Sequence, residues 1–182
     1  MVALAKRITD ATRTPVVGGV AVILHGGGRQ TSDIDIYTDD LWSTHQKLED
    51  AGAMWNSAAR EHVFENVPVH MVSTQELGGP PSKVSTIRGV RVISLADLVR
   101  VKLRLGLESV RRSKDLAHVI DLIARVPLRK DFASKLPREL RAPFKELVEQ
   151  VHEPRRSPLP AASYLARHRG PRRAKAHRRT QP

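Results

Sequence analysis

Hydrophobic positions along this chain change period several times, and each change marks an element. Leu4, Ala5, Ile8 and Ala11 recur at helical spacing, which predicts a short amphipathic helix over residues 2–13, stopped by Pro15. Val16-Val17 is a β-branched pair. Gly18-Gly19 follows, then an apolar run of helix length over residues 20–25. Asp33-Ile34-Asp35-Ile36 alternates polar with apolar, the period of a half-buried strand. Ile34 and Ile36 are expected to enter the core while Asp33 and Asp35 leave from the opposite face. A chain already extended from Arg29 brings Arg29 and Thr31 into the same row.

Downstream, Asp39 or Asp40 can cap a helix over 41–51 that Gly52 ends. The opening thus reads as βαβα. Residues 62–65 and 67–72 pattern as a hairpin around Asn66, and 86–93 as a second β-rich pair broken at Gly89. Residues 73–83, with Gly78-Gly79-Pro80-Pro81, read as a loop. Ser94 opens a helix, with Asp97 at the position of a capping-box acid. Its stripe of Leu95, Leu98, Val99 and Leu103 contains Lys102, whose ammonium either snorkels to the edge or reaches a cleft. Further helices are expected over 114–125 and, after Pro137, over 138–151.

The acid pair is the first candidate for chemistry. Two carboxylates about 4 Å apart repel by roughly 4 kcal/mol at an effective dielectric near 20, so a fold that keeps them supplies a cation. Mg²⁺ binds through one or two carboxylates, waters and substrate phosphates; a guanidinium such as Arg29 can take phosphate oxygens bidentately. A D-x-D at a strand edge also serves ordinary structural ion pairs. Gly26-Gly27-Gly28 is a flexible loop without the Gly-Lys-Ser/Thr of a Walker motif. Of the histidines outside this row, His25 reads as a cap at a helix end.

The order Val16-Val17, Gly18-Gly19, a short helix, then Arg29-x-Thr31-x-Asp33-Ile34-Asp35 resembles the nucleotidyltransferase superfamily, in particular small bacterial proteins related to AbiEii-type toxins. The resemblance covers about residues 10–150. It implies an α/β (α+β) fold: a nucleotidyltransferase-like core over 1–93 with a small mixed sheet flanked by helices, and a C-terminal helical segment, 94–153, packed on it. Asp33 and Asp35 become ligands for Mg²⁺, with Mn²⁺ as the substitute ion. Gly18, Gly19, Arg29, Thr31, Lys102 and Lys114 become contacts to the phosphates of an NTP, and Asp115 an anchor for the helix that follows. His70 falls where the family carries a third catalytic carboxylate, because Val69 and Met71 occupy the apolar phase of that strand. The implied reaction moves an NMP from NTP to a hydroxyl of RNA or of a protein, in a toxin–antitoxin or phage-defence setting with an antitoxin partner. The competing reading is a binding module that keeps the fold and two acids but has lost turnover.

Composition then narrows the setting. The 182 residues carry a formal charge of +12 and no cysteine, which excludes disulfides and Cys-type zinc sites. No window approaches the length of a membrane span, so a soluble, cytoplasmic protein is expected. Nine of the 31 Lys/Arg and none of the 19 acids lie in 154–182, leaving the body 22 basic and 19 acidic side chains, or +3. A basic tail with five prolines is expected to be disordered. It serves either as an electrostatic arm for nucleic acid or as a solubilising extension.

Overall fold

The computed structural model describes residues 1–28 and 30–153, so the expectations that rest on Arg29 and on the basic tail lie outside the described residues. Residues Met1–His152 form one compact unit. Its first helix, α1 (Val2–Thr12), buries Leu4, Ala5 and Ile8 and ends in a left-handed Arg13 at φ 64°.

Here the opening departs from the βαβα reading. Val16 makes only isolated bridges, antiparallel to Ile36 and parallel to Val92. The expected first strand is thus one bridging residue. Gly18, at φ 60°, turns the chain at once into α2 (Gly18–Leu24), so no further residue can pair. The strand β1 (Ile34–Tyr37) follows, shorter than an extension from Arg29 requires, with Ile34 and Ile36 fully buried. Each such side chain contributes about 1.5–3 kcal/mol of transfer free energy.

Helix α3 (Leu41–Asp50) starts at Asp40, whose side chain accepts from the Ser43 amide at 2.9 Å. Strand β2 (Met54–Asn56) pairs antiparallel with β3 (Glu61–Phe64), and β3 antiparallel with β4 (Val67–Val72). Glu65 and Asn66, at φ 49° and 64°, form the turn between β3 and β4; two positive φ values match the right-handed twist of a tight hairpin. β4 then pairs parallel with β1, giving a mixed sheet of order β1-β4-β3-β2.

The 73–83 segment, expected to be a loop, contains a helical turn, α4 (Thr74–Leu77). Ser73 and Glu76 form a reciprocal capping box there, and Gly78 closes it at φ 73°. The second hairpin, β5 (Val84–Ile87) and β6 (Val90–Ile93), is tied to the sheet through Val16.

Three longer helices complete the unit: α5 (Leu95–Glu108), α6 (Ser113–Arg125) and α7 (Arg138–His152). At the start of α5 the buried Asp97 carboxylate accepts from Ser94 Oγ at 2.7 Å and Ser82 Oγ at 2.8 Å, fixing the preceding loop to the helix. Leu98, Leu103, Val119, Leu122 and Phe144 from these helices join Val20, Ile34, Ile36 and Val69 in one core. The architecture is the small mixed sheet flanked by helices that the sequence led us to expect. Among the described residues no helix is long and apolar enough to cross a membrane.

Candidate active site

The glycine turn and the acid-bearing strand meet face to face. A Cβ on Gly18 would lie 1.7 Å from Asp35 Oδ2, and one on Gly19 would lie 2.4 Å from Thr31 Oγ1. Only glycine permits this approach, and at Gly18 the positive φ adds a second reason. The backbone of residue 17 is fastened there too, by a 2.8 Å bond from the Val17 amide to the Asp35 carbonyl.

Asp35 lies inside β1 and Asp33 just before it, in the bend that the chain makes at residues 32 and 33. Thr31 Oγ1 donates to Asp33 Oδ1 and so orients the first acid. On β4, His70 is the register partner of Asp35. Its Nδ1 stands 3.3 Å from Asp35 Oδ1 and 3.8 Å from Asp33 Oδ2. Its Nε2 stands 2.7 Å from Glu61 Oε2 on β3.

Glu61 was missed from sequence, although the signal was present. Counting back from a two-residue turn at Glu65-Asn66 pairs Phe64 with Val67 and His62 with Val69, and one step further puts Glu61 opposite His70. The observed β3 begins at Glu61, one residue before the expected strand at 62–65.

These contacts set the charge state of the site. Ionised carboxylates only accept, so a carboxylate beside each ring nitrogen favours the imidazolium form of His70. Burial works against charge on His70, but the Glu61 bond and the Asp35 charge outweigh it and raise its pKa. Asp35 is also pushed upward, first by burial and then by Asp33, with His70 and Lys102 opposing.

Lys102 on α5 reaches this region without snorkelling to solvent. Its Nζ donates to Asp115 Oδ1 on α6 at 2.6 Å, both side chains being about nine-tenths buried. Arg112 approaches the other Asp115 oxygen at 3.7 Å. Lys114, Arg111 and Arg112 line a cavity of about 320 Å³ together with Gly19, Thr31 and the acid pair. A cavity of about 400 Å³, sharing Asp35, Lys102 and Asp115 with it, extends past Gly18 toward Gln75 and Leu105. His25 is elsewhere: it caps α2 and its Nε2 donates to the Ile93 carbonyl at 2.8 Å. The cleft therefore gathers Gly18, Gly19, Thr31, Asp33, Asp35, His70, Lys102 and Lys114 from five separate segments of chain.

One oxygen from each of Asp33 and Asp35 and one nitrogen from His70 lie within 4.8 Å of one another. The two oxygens suit a hard divalent ion that fills its remaining positions with water and phosphate. His70 suits it less, because both ring nitrogens already have carboxylate partners. The donor set thus fits a hard divalent ion through the aspartates.

Among solved structures, the fold is similar to that of JHP933 from Helicobacter pylori, with a TM-score of 0.50, 13% identity, and coverage of 84% of this chain and 89% of that one. An antigenic nucleotidyltransferase-like protein from Paracoccidioides brasiliensis aligns with a TM-score of 0.49 and 17% identity over 67% of this chain and 74% of that one. No family model and no curated protein matches the chain. At such identity the likeness to JHP933 is one of fold.

Proposed function

We propose that this cleft is the centre of a Mg²⁺-dependent nucleotidyltransferase, which moves an NMP from an NTP to a hydroxyl of RNA or of a protein. The observation that carries this reading is the approach of Gly18 and Gly19 to Asp35 and Thr31, which opens backbone beside an acid pair that shares one cavity with Lys102 and Lys114. Asp33 and Asp35 would hold the ion, which supplies charge neutralisation on the phosphates when bound. Lys102, Lys114, Thr31 and the glycine backbone orient the triphosphate, with Arg29 as a further phosphate contact. The acceptor oxygen bonds to the α-phosphorus, the bond to pyrophosphate breaks, and the hydroxyl proton leaves to solvent. His70 and Glu61 are positioning residues, holding Asp35 against the β1–β4 pair. Resemblance to AbiEii-type toxins suggests an antitoxin-controlled setting in the cytoplasm, with the basic tail as a contact for nucleic acid.

His70 favours a second reading. An imidazolium bridging Asp35 and Glu61 is a resident cation where a third carboxylate would recruit metal, and that suits a module that binds nucleotide without transfer. Incubation with Mg²⁺, each α-labelled NTP, and RNA or a cell extract separates the two. Label in RNA or protein supports the transferase; NTP binding without label transfer supports the module.

A further inference from the structure

The sheet face opposite the cleft carries a second group of ligand-bearing side chains. His62 follows Glu61 on β3, so its side chain leaves the sheet on the other side, where it is 1% exposed and packs toward α3. On α3, His45 and Glu49 sit one turn apart and share a face; His45 Nε2 and Glu49 Oε2 are 3.5 Å apart. One ligand atom from each of His45, Glu49 and His62 lies within 4.8 Å of the others.

Two observations separate this group from a chance meeting of polar side chains. His62 Nε2 is enclosed and has no hydrogen-bond partner, a state that costs about 1–3 kcal/mol for a buried polar group. The donors also stand against an indole wall: Trp42 stacks on His45 at 5.8 Å, and Trp55 meets His45 at 5.6 Å and His62 at 4.9 Å.

We propose that His45, Glu49 and His62 form a site for a borderline transition-metal ion, Zn²⁺ by preference, which ties α3 to the sheet. Two imidazoles and one carboxylate suit Zn²⁺ and disfavour Mg²⁺. Bonds of about 2.1 Å in a tetrahedron space donors about 3.4 Å apart, the spacing His45 and Glu49 already have. The third donor lies within 4.8 Å of these two, so closing to that spacing takes at most about 1.4 Å of side-chain movement. Burial, with His45 adding to it and Glu49 opposing, lowers the pKa of His62. This site is independent of the nucleotidyl-transfer reading.

The test uses the full chain with Asp33→Asn and Asp35→Asn, which silences metal binding in the cleft. Trp42 and Trp55 are its two tryptophans, and both touch the site, so quenching of their emission by Co²⁺ reports this face. Expected are saturable quenching, its reversal by Zn²⁺ but not by excess Mg²⁺, and a rise in Tm with Zn²⁺. His45→Ala and Glu49→Gln, on the outer side, should each weaken Zn²⁺ at least about tenfold. Equal Co²⁺ and Zn²⁺ titrations in these two variants and their parent would overturn the site and leave an aromatic cluster only. His62→Gln is the third variant; should it fail to fold, the other two still decide.

Discussion

Asp35 and His70 stand opposite each other on the parallel β1–β4 pair, Oδ1 to Nδ1 at 3.3 Å, while the far side of the His70 ring is bonded to Glu61 at 2.7 Å. Both contacts favour a protonated ring, which would link the two acids. The histidine pKa is raised, so its contribution to stability is complete below the ordinary histidine value of 6.5 and is lost as pH rises through the higher folded value. An NMR titration of His70 should show a midpoint above 6.5, and Glu61→Gln should lower it. A midpoint that Glu61→Gln leaves in place would mean that the His70–Glu61 bond does not form in solution.

The acid pair predicts a loss of function without a loss of fold. Asp35→Asn removes a charge from the cleft, and Ile34 and Ile36 keep β1 in the core. Mg²⁺-dependent label transfer should fall by at least about 100-fold, on the order of 3 kcal/mol of transition-state stabilisation, with Tm within a few degrees of the parent. A folded variant whose NTP and Mg²⁺ titrations match the parent would remove Asp35 from the site.

Exchanging the resident cation for an acid should reverse the balance. His70→Asp places a carboxylate beside Asp33, Asp35 and Glu61, so the apo protein is expected to lose stability and regain it with Mg²⁺. Transfer should rise above the parent, whereas His70→Ala leaves it low. If His70→Ala abolishes a robust parental activity, the imidazole acts on the substrate directly and its positioning role is wrong.

Gly18 offers a contrast between two glycines. Gly18→Ala combines a positive φ, which costs about 1–2 kcal/mol for an alanine, with a Cβ that would fall 1.7 Å from Asp35 Oδ2. Gly52 also has positive φ, but a Cβ there meets only Phe64 at 3.9 Å. Urea unfolding should show both variants destabilised, Gly18→Ala more, and only Gly18→Ala should lose nucleotide binding. Equal binding losses in the two would point to general unfolding.

The Lys102–Asp115 pair ties α5 to α6 from inside the cleft wall. Removing one partner of a buried ion pair costs about 3–5 kcal/mol, so Asp115→Ala should lower stability by an amount in that range. Lys102→Met should lower stability and NTP affinity together. A Lys102→Met protein that binds NTP as the parent does would confine the lysine to a structural role.

Much of this arrangement was legible in residue order, and what escaped has definite physical causes. The Asp-Ile-Asp-Ile alternation predicts Ile34 and Ile36 in the core with Asp35 on the other side of β1, and Ser94 and Asp40 announce their helices through capping chemistry. β2 escaped because all three of its residues are exposed, leaving no alternation to detect. The Val16-Val17 pair looked like a strand, yet the left-handed Gly18 ends pairing after one residue. Lys102 pairs with Asp115 through the packing of α5 on α6; the stripe alone left its ammonium free to snorkel.

The Glu65-Asn66 turn measures out more than a hairpin. Because adjacent residues on β3 point to opposite faces, this one turn sends Glu61 to the side of His70 and the acid pair and His62 to the side of Trp55 and α3. A single residue inserted there would shift β3 against β4 and exchange the two, presenting an imidazole to the aspartates and burying a carboxylate among tryptophans. The turn's length is therefore under two chemical constraints at once. Lengthening in this hairpin is open only in steps that preserve parity, so a one-residue insertion at 65–66 should cost the protein both faces together, while the loop at 73–83 carries no such restriction.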